Sequence, residues 1–172
     1  MDYAKTGLDI QAAMVDLARK HPNQRTRPKH ICWGDRCVQT HDRIALPKRA
    51  WLRARILRCV SDPQQGFDLK LLQGSIHVPK VGPVDHLRTW CNPGLDGTVE
   101  YEIETESGFV QFWNVFKRHW PSGLITEERM TGNAGFWIDS TSDLRRVYHC
   151  SSGEVRVPEF ESLVVEVTVG SR

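Results

Sequence analysis

From Val99 to Thr105 the chain alternates without a break, apolar at Val99, Tyr101 and Ile103 and acidic at Glu100, Glu102 and Glu104. A period of two sends successive side chains to opposite faces, so this segment can bury one face only as a β-strand. Ser107-Gly108 then turns the chain into Phe109-Val110-Gln111-Phe112-Trp113-Asn114-Val115-Phe116. Phe109, Phe112, Trp113, Phe116 and Trp120 also fit helical spacing, but aromatic and β-branched enrichment favours a strand. A two-residue turn would pair Tyr101 with Asn114, Ile103 with Phe112 and Thr105 with Val110. The acidic residues would then share an outer face with Trp113.

The same alternation recurs along the chain. Leu163 to Val169 places Val165, Val167 and Val169 on one face. Trp51 to Val60 places Leu52, Ala54, Ile56 and Val60 opposite Arg53 and Arg55, although Pro47 could also open a helix there. Phe67 to Leu71, Phe136 to Ile138, Val147 to Cys150 and Glu154 to Val157 read as further short strands. His30 to Gln39 reads as a hairpin about Gly34-Asp35, setting Trp33 opposite Arg36 and Cys32 opposite Cys37. One segment has the helical period instead: Ile10, Ala13, Met14, Leu17 and Ala18 form an apolar stripe, with Thr6 as a possible N-cap and Pro22 as the stop. Residues 22–30 read as a basic loop or arm, and 79–97, with Pro79, Gly82 and Pro83, as a long connection. The expected fold is α+β, mainly antiparallel β, sandwich or barrel-like, with one N-terminal amphipathic helix, in a single domain over 1–172.

Composition bounds the class. Of 172 residues 40% are hydrophobic and 26% charged, which excludes a disordered chain and a disulfide miniprotein. No apolar run approaches the ~18–20 residues that a bilayer-spanning helix needs. Met1-Asp2-Tyr3-Ala4-Lys5 lacks the basic and apolar regions of a secretory signal, so a cytoplasmic location is expected. The net charge of +2 is a cancellation. Met1 to Pro93 holds 16 Lys plus Arg, 8 Asp and no Glu, a net of +8, while Gly94 to Arg172 holds 7 basic and 13 acidic residues, a net of −6. Between Leu17 and Arg58, twelve basic residues face only Asp35 and Asp42. Either the basic half presents a polyanion-binding surface or the two halves pair within one fold.

The first alternative gives the leading functional expectation: a non-enzymatic protein that binds a nucleic acid or nucleoprotein assembly. Its candidate residues are Arg25, Arg27 and Lys29 in the arm, Arg36 on the hairpin, Lys48, Arg49, Arg53 and Arg55, with Trp33 as a stacking ring. Trp51 interleaves with the same arginines. The second expectation is a protein-interaction module, of inhibitor or immunity type, that meets a charged partner through Glu100, Glu102, Glu104 and an aromatic anchor, Trp113. The third is a small Cys/His-dependent enzyme, for which Cys91 near His86 and Cys150 beside His149 supply the residue types. Adjacent strand residues point to opposite faces, which counts against the His149–Cys150 pair. There is no Gly-x-Ser-x-Gly elbow, phosphate-cradling glycine loop or His-Glu-x-x-His. No cofactor is called for, except that Cys32, Cys37 and His41 have ligand types suited to zinc, without a second paired motif to complete a site.

Overall fold

Helix α1 (Ile10–Lys20) forms where the apolar stripe predicts it, and buries Ile10, Ala13 and Leu17. Its N-cap is Asp9 rather than Thr6: the Asp9 carboxylate accepts from the Ala12 amide at 2.7 Å. The Thr6 hydroxyl instead donates to the Tyr3 carbonyl, closing a short 3-10 turn. Two more amides at the helix start, those of Ile10 and Gln11, donate to Asn133 Oδ1 and the Gly132 carbonyl. The orphan donors of the first turn are thereby satisfied by a distant loop.

The structure is a computed structural model that describes residues 1–92 and 97–172, the side chains of Ser140 and Thr141 excepted. In chain order its strands are β1 (Ile31–Trp33), β2 (Arg36–Gln39), β3 (Asp42–Ala45), β4 (Arg49–Cys59), β5 (Gln65–Lys70), β6 (Gly74–Val78), β7 (Gly82–Val84), β8 (His86–Trp90), β9 (Thr98–Thr105), β10 (Phe109–His119), β11 (Ile125–Glu128), β12 (Gly135–Ser142), β13 (Arg145–Ser151) and β14 (Leu163–Ser171). Among the described residues they make two antiparallel sheets. The larger runs β1-β2-β12-β13-β14-β4-β9-β6-β7 and the smaller β11-β10-β5-β8, with β3 also paired to β10. The fold is therefore mainly antiparallel β in two packed sheets, with one helix near the N-terminus.

Between the sheets, Leu52, Tyr101, Phe136, Tyr148, Val165 and Val167 of the larger meet Ile44, Phe67, Leu69, Val110 and Phe112 of the smaller. Phe112 is the hub: its ring stacks on Tyr148 at 3.9 Å and meets Phe136 edge-on at 5.5 Å. Burying a phenylalanine this fully is worth ~1.5–3 kcal/mol. A polar clamp crosses the same gap, because Asp42 on β3 accepts from the Tyr148 hydroxyl at 2.9 Å and from Arg146 Nη1 at 2.5 Å. On the far side of the larger sheet, α1 packs over Ile31, Val38 and Phe160.

Three expectations are corrected. Strands β9 and β10 do not form a hairpin. From the turn at Gly108 (φ 74°), β9 goes to β4 and β6, whereas β10 goes to β5, β3 and β11 in the other sheet. Both strands turn their apolar faces to the same core, so alternation alone cannot tell a hairpin from a corner between sheets. The carboxylates of β9 find cations on β4, whereas a hairpin would set Gln111, Trp113 and Val115 of β10 opposite them. The connection 79–97 contains two strands, β7 and β8, Pro83 being accommodated in an outermost strand; residues 93–96 lie outside the described residues. Glu154 to Val157 is not a strand. The hairpin of β1 and β2 has the expected register, Trp33 with Arg36 and Cys32 with Cys37.

Candidate nucleic-acid interface

Alternation along β4 sends Leu52 and Ala54 into the core and Arg49, Arg53 and Arg55 outward. The register then decides what the arginines meet. Arg53 lies opposite Glu100 and Arg49 opposite Glu104 on β9, and Arg55 lies opposite Glu166 on β14. The ion pairs follow: Arg53 to Glu100 at 2.8 Å, Arg49 to Glu104 at 3.4 Å, Arg55 to Glu166 at 3.1 Å and Lys48 to Glu106 at 2.8 Å. Glu102 is taken by Arg172, and Glu166 holds Arg145 as well. Sequence reasoning named Lys48, Arg49, Arg53 and Arg55 for nucleic acid, and Glu100, Glu102 and Glu104 for a protein partner. The fold brings both groups to one face, where they neutralise each other. Exposed pairs of this kind are worth ~0–1 kcal/mol each.

The other candidates are dispersed. Trp113 lies on β10 in the opposite sheet and is 5% exposed, so it does not join the β9 carboxylates. Trp33 is half-buried against the α1 cluster. The Arg36 guanidinium lies over the rings of Trp137 and Phe160, at 5.1 and 5.5 Å. Cys32 and Cys37 are exposed cross-strand neighbours, but His41 lies beyond β2 in a separate cleft. Among the described residues no three His, Cys, Asp or Glu side chains gather in a way that could hold a metal ion. Alternation separates His149 from Cys150 as expected. The imidazole stacks on Trp137 at 4.0 Å, while the thiol is buried in the core. Burial pushes the Cys91 and Cys150 thiols well above their ordinary range, which disfavours the thiolate that a nucleophile requires.

What remains of the basic segment converges elsewhere. Residues 22–30 fold back on the end of α1: the Asn23 carbonyl accepts from the amides of Thr26 and Arg27, and Asn23 Oδ1 from that of Arg25. Arg27 Nε donates at 2.8 Å to the carbonyl of His21, the C-cap of α1, where a cation also suits the helix dipole. The arm, Met14 of α1 and the passage from β2 to β3 enclose a cleft of about 400 Å³ lined by Arg27, Lys29, Gln39, His41, Asp42 and Arg43. Its one carboxylate, Asp42, already holds Arg146 and Tyr148. Among the described residues no carboxylate lies within ion-pair distance of Arg25, Arg27, Lys29 or Arg43. Burial first, and then the charges of Arg43 and Lys29, lower the His41 pKa against the pull of Asp42.

A second polar constellation occupies the outward face of the smaller sheet. The Asp68 carboxylate is wholly buried on β5. It accepts from Arg88 Nε at 2.7 Å, Arg88 Nη2 at 2.8 Å, Trp113 Nε1 at 2.9 Å and His86 Nε2 at 3.0 Å, and Arg129 stands 3.9 Å away. Burial would raise its pKa, but the Arg88 fork and His86 outweigh burial and hold it below the ordinary carboxylate value. Sequence reasoning missed this group because His86 and Arg88 fell in the supposed connection. The alternation of His86, Arg88 and Trp90 was the available signal. Arg43 was counted in the basic segment without being chosen.

No protein-family model, no curated protein and no solved structure matches this chain. Among the described residues no helix is long and apolar enough to cross a membrane.

Proposed function

We propose that this protein binds nucleic acid, free or within a nucleoprotein assembly, through the cleft between the 22–30 arm and the start of β3. One observation carries the reading: Arg27, Lys29 and Arg43 line a cavity whose one carboxylate among the described residues, Asp42, is paired with Arg146 instead, whereas the β4 cations are matched by glutamates. Uncompensated cations on a concave surface attract a polyanion and release its counterions on contact. Arg27 and Lys29 keep the role assigned from sequence, Arg25 flanks them, and Arg43 joins them. The alternative protein-interaction face gains no such support, because Glu100, Glu102 and Glu104 are engaged by Arg53, Arg172 and Arg49. The same reading places the protein in the cytoplasm, where nucleic acid and reduced thiols coexist.

The test is fluorescence anisotropy with short labelled oligonucleotides across a salt series. The three cations of the cleft by themselves predict a slope of log K on log salt of roughly −2 for a single strand and roughly −2.7 for a duplex, any further phosphate contact making it steeper. Charge reversal at Arg27, Lys29 or Arg43 should weaken binding about tenfold or more and flatten the slope by about one contact, while Arg53→Glu should leave it nearly unchanged. Absence of binding at low salt, or an equal loss from Arg53→Glu, would overturn the proposal.

A further inference from the structure

The cleft does not stop at β3. Arg43 lines it, and its guanidinium also lies 4.8 Å over the ring of Phe109, the first residue of β10. On β3 it stands opposite Gln111. From there the outward face of the smaller sheet continues, by alternation, through Gln111, Trp113 and Lys117 on β10, Asp68 and Lys70 on β5, and His86, Arg88 and Trp90 on β8.

This face combines cations with aromatic rings. Lys117 Nζ is 5.0 Å and the Arg88 guanidinium 5.7 Å from the centre of Trp90, and Arg129 is 5.1 Å from that of Trp113. With Arg43 and Lys70 that makes five cations. Among the described residues, buried Asp68 and exposed Glu127 stand against them, both held by Arg88, and Asp62 lies 3.9 Å from His119 at the end of β10. The excess is positive even with His86 neutral. Trp90 is seated by design of the backbone: it crosses β5 at Gly66, where an added Cβ would meet Trp90 Cε3 at 3.0 Å and the Thr89 carbonyl at 2.4 Å. It is only half-buried there. Asp68 acts as a positioning residue, because its two oxygens fix the plane of Arg88 from below.

We infer that the outward face of the smaller sheet carries single-stranded nucleic acid leading out of the cleft through Arg43, with a base stacked on Trp90 and phosphates near Lys70, Lys117 and Arg129. The occupant is a single strand because the half-exposed ring of Trp90 can stack an unpaired base, whereas a duplex keeps its bases stacked inside. This inference rests on the cleft being a nucleic-acid site, and it adds the class of nucleic acid and its path.

The experiment measures anisotropy of matched single-stranded and duplex oligonucleotides, as DNA and as RNA, on the full chain. The variants are Trp90→Leu, Trp90→Phe, Lys117→Glu and the cleft variant Lys29→Glu, each with its thermal unfolding midpoint checked. Photo-crosslinking of a halogenated single strand, read by mass spectrometry, maps the contact. The expected result is tighter binding of single strands than of duplex. Trp90→Leu should lose about tenfold or more for the single strand, Trp90→Phe should retain most of it, and crosslinks should fall on β8 or β10. Lys117→Glu, a charge change at a half-buried position outside the two-sheet core, should reproduce the loss, its unfolding midpoint showing how much of it is due to the like charge of Glu127 opposite. If Lys29→Glu abolishes binding while the Trp90 and Lys117 variants bind normally and crosslinks stay on the arm and β3, the path over the sheet is wrong and the cleft stands. If the intact protein binds no oligonucleotide, both fall.

Discussion

Replacing Asp68 by Asn removes one charge and almost no volume, so its cost measures the buried constellation. Four hydrogen bonds now converge on the carboxylate, two of them from the Arg88 fork. An amide in the same place offers one oxygen, and its NH2 confronts donors. Breaking one side of a buried ion pair costs ~3–5 kcal/mol. Here the Arg88 side chain is 25% exposed and keeps Glu127, so partial rehydration lowers the expected loss to ~2–4 kcal/mol. For a domain of this size that lowers the unfolding midpoint by roughly 5–15 °C. The pH dependence gives a second reading. Because the folded pKa of Asp68 lies below its ordinary value of 3.8, its stabilisation is complete above that value and is lost as the pH falls through the depressed one. Asp68→Asn should therefore have a shallower acid limb than the parent. Urea unfolding at neutral and acid pH measures both effects. A neutral-pH loss under ~0.5 kcal/mol, or identical acid limbs, would refute the claim that this carboxylate organises the sheet face.

Two further outcomes follow from the geometry. Burial, Arg43 and Lys29 lower the His41 pKa, so a bound polyanion should raise it and draw in a proton. Affinity for an oligonucleotide should then rise as the pH falls toward the depressed pKa that His41 has in the free protein, by up to about tenfold per unit of pKa change, and His41→Gln should flatten that rise. In a thiol-labelling assay on the native protein, Cys32 and Cys37 should react readily, while Cys91 and Cys150 should react only at the rate of unfolding; fast labelling of either buried thiol would contradict the packing.

Local periodicity was enough to read α1, the β1–β2 hairpin and most of β4, β5 and β14, because each combines a stripe or alternation with its own turn residues. It could not choose partners between strands. The inward faces of β9 and β10 look alike from either sheet, and only the long-range match of Arg53 with Glu100, 47 residues apart, separates the two topologies. The same blindness affected the site. Whether Arg53 and Arg55 are free depends on the strands beside β4, so the row that looked most basic proved neutral, and Arg43, with ordinary neighbours in sequence, proved uncompensated. β8 was hidden by Gly82 and Pro83, which mark an edge strand here rather than a loop.

The position of β4 also sets an order of assembly. Both of its neighbours, β9 and β14, come from the acidic second half, and its register with β14 joins Ala50 to Ser171 and Cys59 to Leu163. Closing loops of that length is slow, and nothing local can substitute for them. As the chain emerges from the ribosome, its first half therefore remains a basic, incompletely paired segment until residues 163–171 arrive. The seam between β4 and β14 is the last part of the middle of the larger sheet that can close, and Glu166 shields Arg55 only then, whereas β9 can bring Glu100 and Glu104 to Arg53 and Arg49 earlier.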